Sequence, residues 1–260
     1  MDNFRSRFTT ILATVLAAFV LGASFSAHAA GVVVPAYVDP DVSPKFWVAM
    51  NEAARNVKLT AIMNPNSGPG KRINLPYQKA INDLHAAGGL VIGYVSTSYG
   101  KRRLSEVAAD INLYLAMYKV DGIFLDEMTA DANSRHIQYY QSLYAYIKGL
   151  NPTLCVMGNP GTSTVEAYLQ HPLADQLVTF EGSASVHALY VPQSWQARYP
   201  AERFVHIVYG APAAVLTTIA ARTSLAGAGN LYVTDARLPN PYDKLPTYWA
   251  KETAKETAAR

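Results

Sequence analysis

Asp126 and Glu127 stand side by side at the end of Gly122-Ile-Phe-Leu, an apolar run with strand character. Glu181 ends a second such run, Leu177-Val-Thr-Phe, and is followed by Gly182 and Ser183. Carboxyl groups placed in this way can cleave a glycosidic bond: one protonates the leaving oxygen while the other attacks the anomeric carbon or activates water. Side chains alternate along a strand, so Asp126 and Glu127 cannot both face one site unless the strand has already ended. The competing explanation is structural. Thr129, Asp131, Asn133 and Ser134 all suit a helix start, so the pair could merely offset a helix dipole, and Glu181 could be an isolated surface acid.

The elements that must position these acids are legible as a repeat. Short β-rich runs occur at Val32 to Val38, Leu59 to Asn64, Leu90 to Ser96, Gly122 to Asp126, Leu154 to Gly158, Leu177 to Glu181, Phe204 to Tyr209 and Leu231 to Thr234. Helical periodicity fills Pro44 to Val57, Pro76 to Ala87, Leu104 to Met117, Ser134 to Leu150, Ala213 to Leu225 and Tyr242 to Ala254, with Ser43 and Asn133 as expected N-caps. Pro172, Pro192 and Pro200 limit the fifth and sixth connections to short helices at Thr164 to Leu169 and Ser194 to Arg198. Eight strand–helix units predict an α/β fold, a (β/α)8 TIM-like barrel forming a single domain over residues 30–260, rather than a doubly wound sheet of five or six strands.

In such a barrel the chemistry sits at the carboxyl ends of the strands. Those ends offer Tyr37 and Asp39; Asn64, Asn66 and Ser67; Tyr94, Thr97 and Tyr99; Asp126 and Glu127; then Asn159, Glu181, His206, Tyr209 and Asp235. Aromatic rings stack on sugar faces while amides, hydroxyls and carboxylates bond sugar hydroxyls, so this ring suits a carbohydrate. It holds no His and Cys at metal-ligand spacing, and neither a metal nor another cofactor is expected. The loop Asn64 to Gly70, dense in Pro and Gly, either brings backbone close to a ligand or is simply a tight turn. Of the 17 tyrosines, Tyr139, Tyr140, Tyr144 and Tyr146 lie on a helix and read as packing and surface residues.

The first 29 residues have the layout of a cleaved export signal: Arg5 and Arg7, an apolar stretch from Ile11 to Leu21, and Ala27-His-Ala29. A secreted or periplasmic protein is expected, with no membrane span once the signal is removed. Loss of Arg5, Arg7 and Asp2 takes the formal charge from +3 to +2, and no basic block argues for nucleic acid. The single cysteine, Cys155, has no intrachain partner, so stability must come from the core, and the chain is expected to act as a monomer.

Asn64-Pro-Asn-Ser-Gly-Pro-Gly70, Gly93-Tyr-Val-Ser-Thr97 with Tyr99, Gly122-Ile-Phe-Leu-Asp-Glu127, Asn159-Pro-Gly-Thr162 and Phe180-Glu181 together resemble the spherulin-4 (spherulation-specific family 4) proteins over about Val34 to Glu181. The resemblance implies a (β/α)8 glycoside hydrolase that cleaves α-1,4-linked galactosamine- or N-acetylgalactosamine-containing polysaccharide of biofilms or cell walls. It places the acidic motif on Asp126 and Glu127 and the later acid on Glu181; no family motif is matched after Glu181. Analogy with barrels that hydrolyse α-galactosides favours Asp126 as nucleophile and Glu181 as general acid, with Glu127 holding a sugar amine or hydroxyl or tuning Asp126. The alternatives are a non-catalytic carbohydrate-binding barrel and a deacetylase, the latter wanting a metal site that the sequence does not show.

Overall fold

The computed structural model describes residues 31–254, so the expected export signal lies outside the described residues. Strands β1 (Gly31–Ala36), β2 (Lys58–Met63), β3 (Leu90–Ser96), β4 (Gly122–Asp126), β5 (Cys155–Gly158), β6 (Gln176–Ser183), β7 (Phe204–Tyr209) and β8 (Asn230–Val233) pair in parallel, in chain order, and close into a barrel. Outside run α1 (Pro44–Ala54), α2 (Leu75–Ala86), α3 (Leu104–Met117), α4 (Ser134–Leu150), the one-turn helices α5 (Ala167–Gln170) and α6 (Ala184–His187), then α7 (Leu216–Leu225) and α8 (Trp249–Glu252).

The helices form because their apolar residues recur at helical spacing and their starts are marked. On α3 the buried positions are Val107, Ile111, Tyr114 and Met117, one face against the sheet. That face fits closely: a Cβ on Gly93 of β3 would lie 2.7 Å from the Tyr114 ring. Asn133 caps α4 by accepting the Arg135 N–H at 2.9 Å, and Asn74 caps α2 by accepting that of Tyr77 at 3.2 Å. Ser43 occupies the N-cap position of α1 but makes no capping bond with its side chain, so the first turn rests on Pro44.

The last connection departs from expectation. The helix expected over Tyr242 to Ala254 is only Trp249–Glu252. Pro246 cannot donate the backbone bond a helix needs there, and the chain from Leu238 to Tyr248 runs as turns instead. This leaves a long irregular segment above the end of β8.

α8 adds a side-chain tie where the pairing of β1 and β8 ends. β1 and β8 are in register at just two positions, Gly31 with Asn230 and Val32 with Leu231. Beyond them the Val233 N–H is taken by Oε1 of Glu252 at 2.7 Å, while Oε2 of Glu252 is buried without a partner. Burial pushes this carboxyl up to about 8. The unfolded chain therefore releases the proton at lower pH than the fold does, so Glu252 contributes stability that is fully present below its unfolded value and is lost as pH rises through about 8. Glu252→Gln keeps an acceptor for Val233 and carries no charge. Its melting temperature should gain on the parent between pH 5 and pH 9 by ~5–10 °C, read by calorimetry at each pH; a constant gap would show that Glu252 is not buried as a neutral acid.

Candidate active site

Both acids reach the barrel mouth because of what happens at the ends of their strands. Residues in register on neighbouring parallel strands point to the same face. Tyr209 of β7 lines the mouth, so Ile207 and Val205 point inward, while His206 and Val208 point outward. Val178 of β6 is in register with Val205, and Glu181 with Ile207, but Thr179 between them has no counterpart because the register shifts there. Plain alternation from Val178 would turn Glu181 outward. The bulge at Thr179 turns it in.

β4 uses a different device. Asp126 is its last residue and faces inward with Tyr94 and Phe124. Glu127 then adopts φ 51°, a left-handed conformation uncommon for a residue with a side chain, and both carboxylates line one cavity. The turn is held from β3. Thr97 donates its N–H to the Asp126 carbonyl at 3.0 Å, and its hydroxyl lies 2.9 Å from that carbonyl and 2.8 Å from the Glu127 carbonyl. Tyr99 donates its N–H to the Glu127 carbonyl at 2.7 Å, and Ser96 donates to Oε2 of Glu127 at 2.5 Å. Ser98 and Tyr99 are themselves at φ 46° and 55°. Three left-handed residues in two adjoining loops are strain that only surrounding contacts sustain, a pattern associated with working sites.

Asn159, one residue beyond β5, joins the two acids. Its Nδ2 lies 2.8 Å from Oδ1 of Asp126 and 2.7 Å from Oε2 of Glu181, so those two oxygens are at most about 5.5 Å apart. Tyr242 donates its hydroxyl to the other Glu181 oxygen, Oε1, at 2.6 Å. Tyr94 and the Glu127 backbone also lie close to the Asp126 carboxyl. Burial pushes both carboxyls above their ordinary values; the donors hold them down, and each is raised further by a neighbouring carboxylate, Glu127 beside Asp126 and Asp126 beside Glu181. The cavity around them is about 610 Å³, and no Lys or Arg is among its lining residues.

The expected site residues divide into two groups. Tyr37, Tyr99, Asp126, Glu127, Asn159, Glu181 and Tyr209 line the cavity. Tyr94 lies just beneath, edge-on to Tyr37 at 5.7 Å. The others are not among the lining residues. Asp39 accepts the Asp41 N–H and the Asn74 amide, tying down the β1–α1 loop. Asn64 accepts the Gly68 N–H at 2.8 Å and Asn66 donates its N–H to the Gly68 carbonyl, so Asn64, Asn66 and Ser67 form a tight turn with Ser67 at φ 47°. Thr97 is fully buried as the tie described above. Asp235 holds the Thr247 N–H and hydroxyl in the segment leading to α8.

His206 faces away from the mouth, into the layer between sheet and helices, because it sits one residue out of phase with Tyr209. It lies 3.1 Å from His187 and packs on Phe180 and Tyr190; desolvation pushes it down to about 3. Conversely, the cavity is also lined by Tyr242, expected as the start of a helix, and by the wall from Leu238 to Pro241, for which the sequence reading assigns no role. The signal was available: Pro239 and Pro241 mark a loop after the last strand, where a barrel builds its site.

Comparison with known proteins identifies the family and the fold. The sequence pattern of spherulation-specific family 4 (Spherulin4) matches residues 31–255. Spherulin-4 of Physarum polycephalum is 34% identical over 236 residues, 85% of this chain and 68% of that protein. Among solved structures, Aspergillus clavatus Sph3 in complex with GalNAc aligns with a TM-score of 0.74 at 25% identity, covering 87% of this chain and 96% of that one. A GH18 chitinase from Pseudoalteromonas aurantia aligns with a TM-score of 0.52 at 13% identity, over 78% of this chain and 93% of that one, a likeness of fold. With a family pattern running the length of the barrel, the chain belongs to the spherulation-specific family 4.

Proposed function

We propose that this protein is an exported glycoside hydrolase that cleaves α-1,4-linked galactosamine- or N-acetylgalactosamine-containing exopolysaccharide, with Asp126 as nucleophile and Glu181 as general acid and base. The observation that carries the reading is the pair of half-buried carboxyls bridged by one amide at an open, aromatic-lined cavity. The family membership and the Aspergillus clavatus Sph3 complex with GalNAc support the sugar assigned to it.

The spacing favours retention. An amide's two N–H bonds splay by ~120°, which puts the bridged oxygens ~5 Å apart, within the ~5–5.5 Å of retaining enzymes and short of the ~6.5–9.5 Å that an inverting enzyme needs for its water. Within hydrogen-bond distance Asp126 has the Asn159 amide, and Glu181 has that amide and the Tyr242 hydroxyl. The roles follow those of barrels that hydrolyse α-galactosides: Asp126 is the carboxylate, and Glu181, whose neighbour Tyr242 can accept as well as donate, keeps the shared proton. Asp126 attacks the anomeric carbon as Glu181 gives its proton to the leaving glycosidic oxygen. Glu181 then takes a proton from water, which displaces Asp126 and leaves a new hemiacetal. Glu127, held by Ser96 and lining the same cavity, is suited to a sugar amine or hydroxyl.

Reducing-end release from a galactosamine-rich biofilm polysaccharide tests the function. Asp126→Asn and Glu181→Gln should each lower the rate at least ~1,000-fold without lowering the melting temperature. Binding without release, unaltered by either substitution, would instead identify a sugar-binding barrel. Proton NMR of the first product tests the course: the α-anomer should appear before mutarotation, whereas a β-anomer would mean inversion. Because both carboxyls are raised, kcat/KM should follow a bell with both limbs above the ordinary carboxylate range, the two values belonging to the pair. An acid limb at or below that range would contradict the burial of Asp126.

A further inference from the structure

We infer that Tyr242, on the segment between β8 and α8, is a positioning residue that sets the orientation and proton affinity of Glu181. The inference rests on the reaction proposed above but on a different contact. Tyr242 is 61 residues from Glu181 in sequence, yet its hydroxyl is 2.6 Å from Oε1, the Glu181 oxygen that Asn159 does not hold. The ring is itself fixed, 9% exposed and edge-on to Tyr37 at 5.8 Å.

A hydroxyl suits an acid that must change state. While Glu181 is ionised the phenol donates to it; once Glu181 is protonated the same oxygen can accept. Lys or Arg in this place could only donate and would hold Glu181 ionised, defeating its use as an acid. Tyr242 does not become a base, because burial and then the adjoining Glu181 raise its pKa far above the usual range. The charged and titratable groups around the cavity with Glu181 are Asp126 and Glu127 on β4 and its loop, with Tyr37, Tyr94, Tyr99, Tyr209 and Tyr242. None is a cation, so hydrogen bonds alone oppose desolvation. Removing the Tyr242 hydroxyl leaves Oε1 without its donor, and Glu181 holds its proton more tightly.

The experiment follows Glu181 directly. Carboxyl carbon NMR of the substrate-free protein, with the Glu181 signal assigned by its loss in Glu181→Gln, should show the Glu181 titration about one pH unit higher in Tyr242→Phe than in the parent. In turnover the alkaline limb of kcat/KM should move up by the same amount, and kcat should fall about tenfold with KM little changed. A fluorinated tyrosine placed at 242, a more acidic donor, should move the titration the other way, and it tests the contact even if the phenylalanine variant does not fold. An unmoved Glu181 titration in these variants would overturn the inference. So would a change confined to KM, which would make Tyr242 a substrate contact. If the parent cleaves no polysaccharide but the titration moves as stated, the proposed reaction fails while the positioning of Glu181 by Tyr242 stands.

Discussion

Two carboxyl groups in a half-buried barrel mouth cannot both ionise without repelling each other, and here one amide nitrogen stands between them. Asn159 gives a hydrogen to Asp126 and one to Glu181, so the groups that would drift apart are held at one separation. The amide is aimed by its own backbone. Asn159 donates its N–H to the Leu125 carbonyl at 2.8 Å and accepts that of Met128 at 2.9 Å, which knits the ends of β4 and β5 together on either side of the acids. Bulge, left-handed turn and long loop all deliver groups to the space this residue defines.

The rest of the mouth is built from neutral donors. Tyr37 packs edge-on against Tyr94 and Tyr242, and the Tyr242 hydroxyl goes to Glu181. A neutral donor lowers the cost of a buried negative charge without cancelling it. The acids therefore keep raised proton affinities. An arginine in place of Tyr242 would have locked Glu181 in the ionised state.

Much of this was legible from residue order. The eight strands were found within a few residues of their true limits, and α3 and α4 at the limits observed. Asp126, Glu127 and Glu181 were singled out because acids ending apolar strands are unusual, and the tyrosines at strand ends because a sugar site needs flat faces. The departures share a cause. His206, Asp39, Asn64, Asn66, Ser67, Thr97 and Asp235 stand near strand ends but do not line the cavity, because nearness does not say which way a side chain turns. Tyr242 was overlooked because a short helical pattern near the terminus outweighed three prolines.

Periodicity is local: alternation of apolar residues every two or every 3.6 positions needs no partner to be read, and it determined the barrel, the order of its elements and the stations where acids stand. Facing is not local. Glu181 turns inward only because Thr179 finds no counterpart on β7, and Glu127 joins Asp126 only because β3 supplies donors that hold its backbone at φ 51°. The bonds that assemble the site join residues 22, 33 and 61 positions apart. The sequence by itself determined which groups are present and on which strands; only the closed barrel decided which of them share a cavity, because that choice rests on contacts between segments that meet once the sheet has curled shut.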